Sequence, residues 1–227
     1  MKINFTLFLS SFILVAFISN VQAQGTTITA NSIEVGIYER SEAYLGSPYF
    51  SEEWMDGAVV LADGKKYEKL HLKFDQLTNQ VVFLDQDLDK IQAFKVPVTE
   101  FILISKLVAG NDTKFRSDYP SIDGSNASSF FEVLTEGKTQ LLKRTIKVVV
   151  EERPDNSLLL KKMIKASTRY YLKTGSTLAR VKNNEKEVLI LLKDKQAELK
   201  AYIKENKLNL KQDNDLAKLF DYYNSII

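Results

Sequence analysis

The order of apolar and polar residues predicts a chain that is rich in strands first and helical at its end. Leu70, Leu72 and Phe74 alternate with polar residues, which indicates a strand with one buried and one wet face. Asp63-Gly64 is a hairpin turn signal, because Gly tolerates the positive φ that such turns need. The pattern predicts about seven to nine antiparallel strands, in runs near 58–61, 66–74, 81–84, 91–96, 101–104, 130–134, 139–150, 168–172 and 177–181.

Two helices are predicted after residue 182, where the period of the apolar residues changes. Asn183 or Asn184 is a good N-cap for the first helix, which we expect to run to about Asn206. Asp213 or Asn214 is the expected cap of the second. The apolar stripes that support these helices are Val188, Leu191, Leu192, Leu199, Tyr202 and Ile203 in the first, and Leu216, Leu219, Phe220 and Tyr223 in the second.

The predicted fold class is therefore α+β, with antiparallel hairpins that form a sandwich or a partly open barrel and two C-terminal helices. We expect a β-rich domain over residues 24–182 and a helical segment over 183–227 that packs on it or extends from it. The polar, turn-rich stretch 109–128 is interpreted as a long loop.

The first 23 residues are expected to be a signal peptide. Lys2 precedes an apolar stretch, and Val21-Gln22-Ala23 has small residues where signal peptidase needs them. Cleavage would leave a chain that begins at Gln24, periplasmic or secreted, with no transmembrane segment. With no Cys the protein cannot be a lipoprotein, and an uncleaved membrane anchor is the alternative for this stretch.

Composition narrows the chemistry further. The 227 residues include no Cys and one His, which excludes a disulfide framework, a Cys nucleophile and Cys-ligated or His-rich metal sites. Phosphate-binding glycine motifs are missing, and the basic residues of the last third alternate with acidic ones, as on a solvated helix face. We therefore expect no metal, no cofactor and no nucleic acid partner.

No residue is predicted to be catalytic, cofactor-binding or metal-ligating, although several are of types that catalysis uses. His71 lies between Lys69 and Lys73 on a wet strand face, where a solvated histidine is expected. The alternating Asp85, Asp87 and Asp89 resemble a calcium loop, but Lys90 stands where its glycine belongs, so a solvated turn is favoured. A glycosidase needs a pair of carboxylates. The candidates for such a pair are Glu52, Glu53 and Asp56 in one group and Glu151 and Glu152 in another.

The formal net charge of +2 conceals two opposed halves. Residues 25–134 carry a net charge of −7, whereas residues 135–227 carry +8. Such a division favours contact between the halves or between copies of the chain, and this contact is predicted to be sensitive to salt.

Several segments resemble small exported proteins that are common in the Bacteroidota. The likeness spans most of residues 46–225 and consists of turn and core patterns: Gly46-Ser47-Pro48-Tyr49, Asp63-Gly64-Lys65-Lys66-Tyr67-Glu68, Phe131-Glu132-Val133-Leu134, Gly137-Lys138, Leu141-Leu142-Lys143, Glu198-Leu199, Tyr202-Ile203-Lys204, Asn206-Lys207, Asp215-Leu216 and Tyr222-Tyr223-Asn224. The resemblance implies an exported protein, and it implies no activity and no site residues.

The leading hypothesis is an exported cell-envelope protein that is not an enzyme and acts as a protein-binding, structural or adaptor module. Exposed sheet edges and a basic helical tail offer surfaces for a protein partner or for self-association. The first alternative is a carboxylate-dependent envelope hydrolase that acts on glycans. The second alternative is a carrier that holds a small molecule or lipid inside a β-barrel.

Overall fold

A computed structural model describes residues 33–36, 38, 44–106, 112–153 and 159–227, so the predicted signal peptide lies outside the described residues. The described chain forms one antiparallel sheet of eleven strands and three α-helices, which confirms the α+β class. The strands are β1 (Val35–Gly36), β2 (Met55–Leu61), β3 (Lys66–Asp75), β4 (Gln80–Asp85), β5 (Lys90–Phe94), β6 (Val98–Leu103), β7 (Thr113–Arg116), β8 (Phe131–Thr135), β9 (Thr139–Glu152), β10 (Lys161–Thr174) and β11 (Thr177–Val181). The helices are α1 (Glu185–Leu191), α2 (Gln196–Glu205) and α3 (Asp213–Ile226).

All eleven strands share one hydrogen-bonded sheet, in the order β1-β5-β4-β3-β2-β6-β7-β8-β9-β10-β11. This single open sheet corrects the expected sandwich or partly open barrel, and it exceeds the expected count of seven to nine strands. The two additional strands are short: β1 has two residues, and β7 has four, which lie within the predicted loop 109–128. In β7 only Phe115 is buried, so four residues gave too little alternation to signal a strand.

The first part of the sheet curls because one extended segment pairs on both sides of the β2–β4 meander. Residues 90–94 pair with β4, and residues 98–103 pair with β2. In a flat sheet β5 and β6 would lie four strand spacings apart, about 19 Å. The Cα of Phe94 and that of Val98 are joined by a link that spans at most about 15 Å. The strands β2 to β6 must therefore wrap around a common interior.

That interior is a cluster of apolar side chains from β2, β3, β4, β6 and β7. It contains Leu70, Leu72 and Phe74, so the predicted buried face of β3 is confirmed. A bulge places Glu68 and Lys69 opposite Ala58, and Lys69 takes a positive φ of 57°. Because a bulge adds one residue, it shifts the alternation of β3 and lets Tyr67 and Leu70 both point inward.

The C-terminal helices pack on the other end of the sheet and bury a second core. α3 contacts β8 and β9, and α1 contacts β11. Asn184 caps α1 as predicted, its side chain accepting a hydrogen bond from the Glu187 N–H at 3.1 Å. The predicted apolar face of α3, made of Leu216, Leu219, Phe220 and Tyr223, is buried.

The first predicted helix is in fact two helices. A short 3₁₀ turn at Lys193–Lys195 separates α1 from α2. The stretch from Lys193 to Glu198 contains no large apolar residue, so nothing there holds the stripe against the core. The prediction for the start of α3 was also wrong: the helix begins at Asp213, and the Asp213 carboxylate bonds to the sheet instead of capping. Among the described residues no helix is both long and apolar enough to span a bilayer.

Candidate functional site

The long β9–β10 hairpin is the most unusual part of the sheet. Its two strands pair over fourteen residues each without a shift in register, from Thr139 opposite Thr174 to Glu152 opposite Lys161. Only the first part of β9 has a second neighbour, because β8 pairs no farther along β9 than Lys143. Residues 145–152 and 161–168 therefore form a two-stranded extension of the sheet, which we call the ribbon.

The ribbon exposes apolar side chains that a closed globular surface would cover. In residues 144–152 no side chain is fully buried, and Val148 is 47% exposed. Leu159 and Leu160, just before β10, are 71% and 57% exposed. Exposed apolar residues grouped on one projection favour contact with another surface.

The hydrogen bonds of β10 show which backbone groups the ribbon leaves open. The Leu45 N–H donates to the Lys162 carbonyl at 3.0 Å, and the Ile164 N–H donates to the Leu45 carbonyl at 2.8 Å. The even-numbered residues of β10 therefore direct their backbone N–H and C=O groups away from β9. The odd-numbered residues of β10 then bond to their partners in β9, which are the even-numbered residues of that strand. The odd-numbered residues of β9 therefore direct their backbone N–H and C=O groups toward the opposite edge. The Leu141 N–H, which donates to Thr135 Oγ1 on β8 at 3.1 Å, agrees with this phase.

The two edges of the ribbon consequently differ. The β10 edge pairs with Leu45 of the same chain through a single parallel bridge to Met163. On the β9 edge, Thr145, Lys147, Val149 and Glu151 direct their N–H and C=O groups outward. Within the described ranges no strand pairs with that edge. We call residues 145–151 of β9 the open edge.

Lys147 connects the open edge to the rest of the molecule. Its ammonium group donates to the carbonyls of Ser47 at 3.1 Å and of Tyr49 at 2.6 Å. Burial lowers the pKa of Lys147, while Glu52 and Asp75 act in the opposite direction. The lysine is thus a half-buried cation whose described hydrogen-bond acceptors are neutral carbonyls.

A groove of about 550 Å³ lies elsewhere, on the outer face of β2, β3 and β6. Here His71 Nδ1 lies 2.7 Å from Asp56 Oδ1, and Lys106 Nζ lies 3.4 Å from Asp56 Oδ2. His71 is therefore paired and half-buried instead of simply solvated. The nine described residues that line the groove include no hydroxyl or thiol side chain, so this His–Asp pair has no nucleophile to activate among them.

The interior of the curl is filled by phenylalanine rings. Phe74, Phe101, Phe115 and Phe130 contact one another with ring centroids 4.7 to 5.6 Å apart. Dense aromatic packing of this kind stabilises the fold, and it occupies the volume that a lipid or a small molecule would need.

A charged network ties α3 to the sheet and joins the acidic half to the basic half. Lys143 Nζ lies 3.1 Å from Glu132 Oε2 and 2.7 Å from Asp213 Oδ2, and the Tyr170 hydroxyl donates to Asp213 Oδ1 at 2.6 Å. Burial raises the pKa of Glu132, against the opposing effect of Lys143. Burial opposes ionisation of Lys143, but its two carboxylate partners outweigh this and raise its pKa. The network is a structural joint.

A second group of charges surrounds Asp123. Arg169 and Arg180 each place Nη1 3.8 Å from Asp123 Oδ2, and the Tyr171 hydroxyl donates to the same oxygen at 3.2 Å. Arg144 lies opposite Arg169, and its Nη1 atom is buried with no hydrogen-bond partner among the described residues. Burial, together with the charge of Arg169, lowers the pKa of Arg144.

The remaining residues that the sequence singled out lie apart from one another. Asp85 forms the β4–β5 turn, its Oδ1 accepting hydrogen bonds from the N–H groups of Asp87 and Leu88, both at 3.1 Å. Glu52 and Glu53 are exposed in a bend before β2. Glu151 and Glu152 lie at the far end of β9, where Glu152 pairs with Lys165 at 2.9 Å.

The open edge was only partly visible in the sequence. The β-branched run Val148-Val149-Val150 signalled β9, but Lys161 to Ser167 lacks alternation, so the full length of β10 was missed. Comparison of the chain with known family models, with curated proteins and with solved structures finds no match.

Proposed function

We propose that this is an exported protein of the cell envelope that acts by binding protein and not by catalysis, with the ribbon as its contact region. The expected signal peptide and the resemblance to exported proteins of the Bacteroidota support the location. The open edge supports the mode of action, because its N–H and C=O groups pair with no other strand in the described part of the chain and such groups accept an added strand.

The observation that carries this proposal is the contrast between the two edges of the ribbon. On the β10 edge, Leu45 already pairs with the strand by backbone hydrogen bonds of 2.8 and 3.0 Å. The same ribbon offers an equivalent row of groups on its β9 side. Strand addition at that side would use backbone hydrogen bonds of the same kind as those that Leu45 makes on the β10 side.

Photocrosslinking in intact cells tests the contact region. A photoreactive phenylalanine analogue is placed at Val148, and a matched variant carries it at Ile190, an apolar residue of α1 that is 57% exposed. We expect a discrete crosslinked product from position 148 and none from position 190. Equal products from both positions, or none from position 148, would contradict the proposed surface.

Export is tested on the same cells. We expect the chain recovered from the envelope fraction or the medium to begin at Gln24, as determined by mass spectrometry of its N-terminal peptide. A chain that keeps residue 1 and fractionates with the cytoplasm would contradict export.

The groove favours a second candidate, the carboxylate-dependent hydrolase of glycans. Asp56, Glu68 and Asp112 all line it, and two carboxyl groups about 5–10 Å apart are what glycoside hydrolysis requires. Release of reducing sugar from envelope glycans by the wild-type protein, and its loss in Asp56→Asn, would favour this candidate. The carrier hypothesis has less support, since phenylalanine rings fill the described interior of the curl.

A further inference from the structure

We propose that the partner at the open edge is a second copy of this chain, paired antiparallel about a twofold axis at Val149. The inference rests on the proposed function, because it names the occupant of the same surface. The twofold arrangement would join two eleven-stranded sheets into one continuous sheet.

The alternation of the open edge limits the registers that two copies can adopt. Odd-numbered residues carry the outward N–H and C=O groups, so they must lie opposite odd-numbered residues of the other copy. A symmetric pairing then has its axis at Lys147, at Val149, at Glu151 or at the even-numbered residues between them.

Charge selects among these registers. An axis at Lys147 places the two copies of Lys147 opposite each other, and an axis at Glu151 does the same for glutamate. An axis at Val149 places Lys147 opposite Glu151 of the second copy, and by symmetry it does so twice. An axis at Val148 places Lys147 opposite Val149, and an axis at Val150 places it opposite Arg153, so neither gives this ion pair. Opposite charges across a strand pair stabilise it and like charges destabilise it, so the Val149 register is favoured.

The neighbouring side chains agree with this register. On the other face of β9, Val148 lies opposite Val150 of the second copy, again twice. Val148 is 47% exposed in the single chain, so pairing would remove apolar surface from water. Lys147 has three N–H groups and uses two on the Ser47 and Tyr49 carbonyls, which leaves one for a carboxylate.

Sedimentation equilibrium of the purified mature chain is the first measurement. We expect a reversible monomer–dimer equilibrium. The variant Glu151→Lys places lysine opposite Lys147 at both contacts and should raise the dissociation constant at least about tenfold. The matched control Glu205→Lys makes the same charge change on exposed α2 and should leave the dissociation constant unchanged.

Mixing two variants tests the register itself. In Lys147→Glu the contacts are glutamate against glutamate, and in Glu151→Lys they are lysine against lysine. Each variant alone should be monomeric, while an equimolar mixture should form a heterodimer with opposite charges at all contacts. Because each chain is folded before mixing, recovery of the dimer is not explained by a repaired fold.

A backbone variant completes the test. The N–H of Val149 points to the open edge, so Val149→Pro removes no hydrogen bond to β10 but blocks strand addition. We expect a monomer with unchanged circular dichroism. If this variant fails to fold, the charge variants remain decisive.

Three outcomes overturn the inference: a wild-type chain that is monomeric at all accessible concentrations, a dimer unaffected by Glu151→Lys, or a mixture that stays monomeric. The proposed function fails separately. A monomeric protein that still gives a crosslink from position 148 to a different polypeptide retains the protein-binding role and refutes only the second copy.

Discussion

Substitution of Lys143 by methionine tests whether the joint between α3 and the sheet depends on a paired buried charge. At an effective dielectric constant of about 20, Coulomb's law gives each of its two carboxylate contacts about 5–6 kcal/mol before desolvation is subtracted. Breaking a buried pair usually costs 3–5 kcal/mol. The Asp213 side chain is 34% exposed and keeps its bond from Tyr170, so we expect a loss near the low end, about 3 kcal/mol.

The pH dependence identifies the cause. Burial raises the pKa of Glu132, and Lys143 counteracts the rise. Without Lys143 the folded-state pKa moves further above the unfolded value. A carboxyl group shifted in this direction costs stability as pH rises through the interval between its unfolded and folded pKa values. The destabilisation by Lys143→Met should therefore be larger at pH 7 than at pH 4.5.

Urea unfolding followed by circular dichroism provides the assay, with midpoint and slope fitted at both pH values. The double variant Lys143→Met with Glu132→Gln removes the buried charge as well and should recover much of the loss at pH 7. A loss below about 1 kcal/mol at pH 7, or one equal at the two pH values, would refute the reasoning.

Three further predictions concern packing and charge. Gly57→Ala would place a Cβ 2.2 Å from the Ile102 carbonyl oxygen and should cost about 3 kcal/mol, whereas Gly36→Ala, with 3.8 Å to its nearest neighbour, should cost much less in the same urea assay. Tyr222→Ala removes a ring stacked 4.0 Å from Tyr202 and should cost about 1 kcal/mol beyond the lost area, whereas Tyr222→Phe should cost little. Raising NaCl from 0.01 to 1 M should lower the thermal midpoint through screening of the ion pairs between the two halves; an unchanged midpoint would refute this.

The sequence predicted elements well where the period of the apolar residues is long and one face is buried. The buried face of α3 and the buried face of β3 were both predicted in this way. Two adjacent tyrosines of β10 show the same alternation: Tyr171 packs in a buried cluster, while the Tyr170 hydroxyl donates to Asp213. The overall arrangement of the strands was harder to predict. The curl depends on the short link of residues 95–97, which joins β5, paired with β4, to β6, paired with β2.

The charge division was also visible in the sequence, and its contacts were not. Ion pairs across the halves join Lys143 to Glu132 and both Arg169 and Arg180 to Asp123. Asp123 lies in the connection between β7 and β8, far in sequence from the arginines that surround it. Composition counts charges, but only strand order brings these particular ones together. Whether the contact is sensitive to salt stays a prediction.

The length of the ribbon argues for an occupant at the open edge. A two-stranded hairpin is only marginally stable in water unless something packs on it, and an uncovered edge invites indiscriminate pairing. Among the described residues, Leu45 covers part of the β10 edge, whereas the open edge carries Lys147 and Glu151 as its charged side chains. Two charges of opposite sign, placed symmetrically about Val149, repel misaligned copies and attract the aligned one. Lys147 and Glu151 would thus both oppose non-specific aggregation at the open edge and select one register for the second copy.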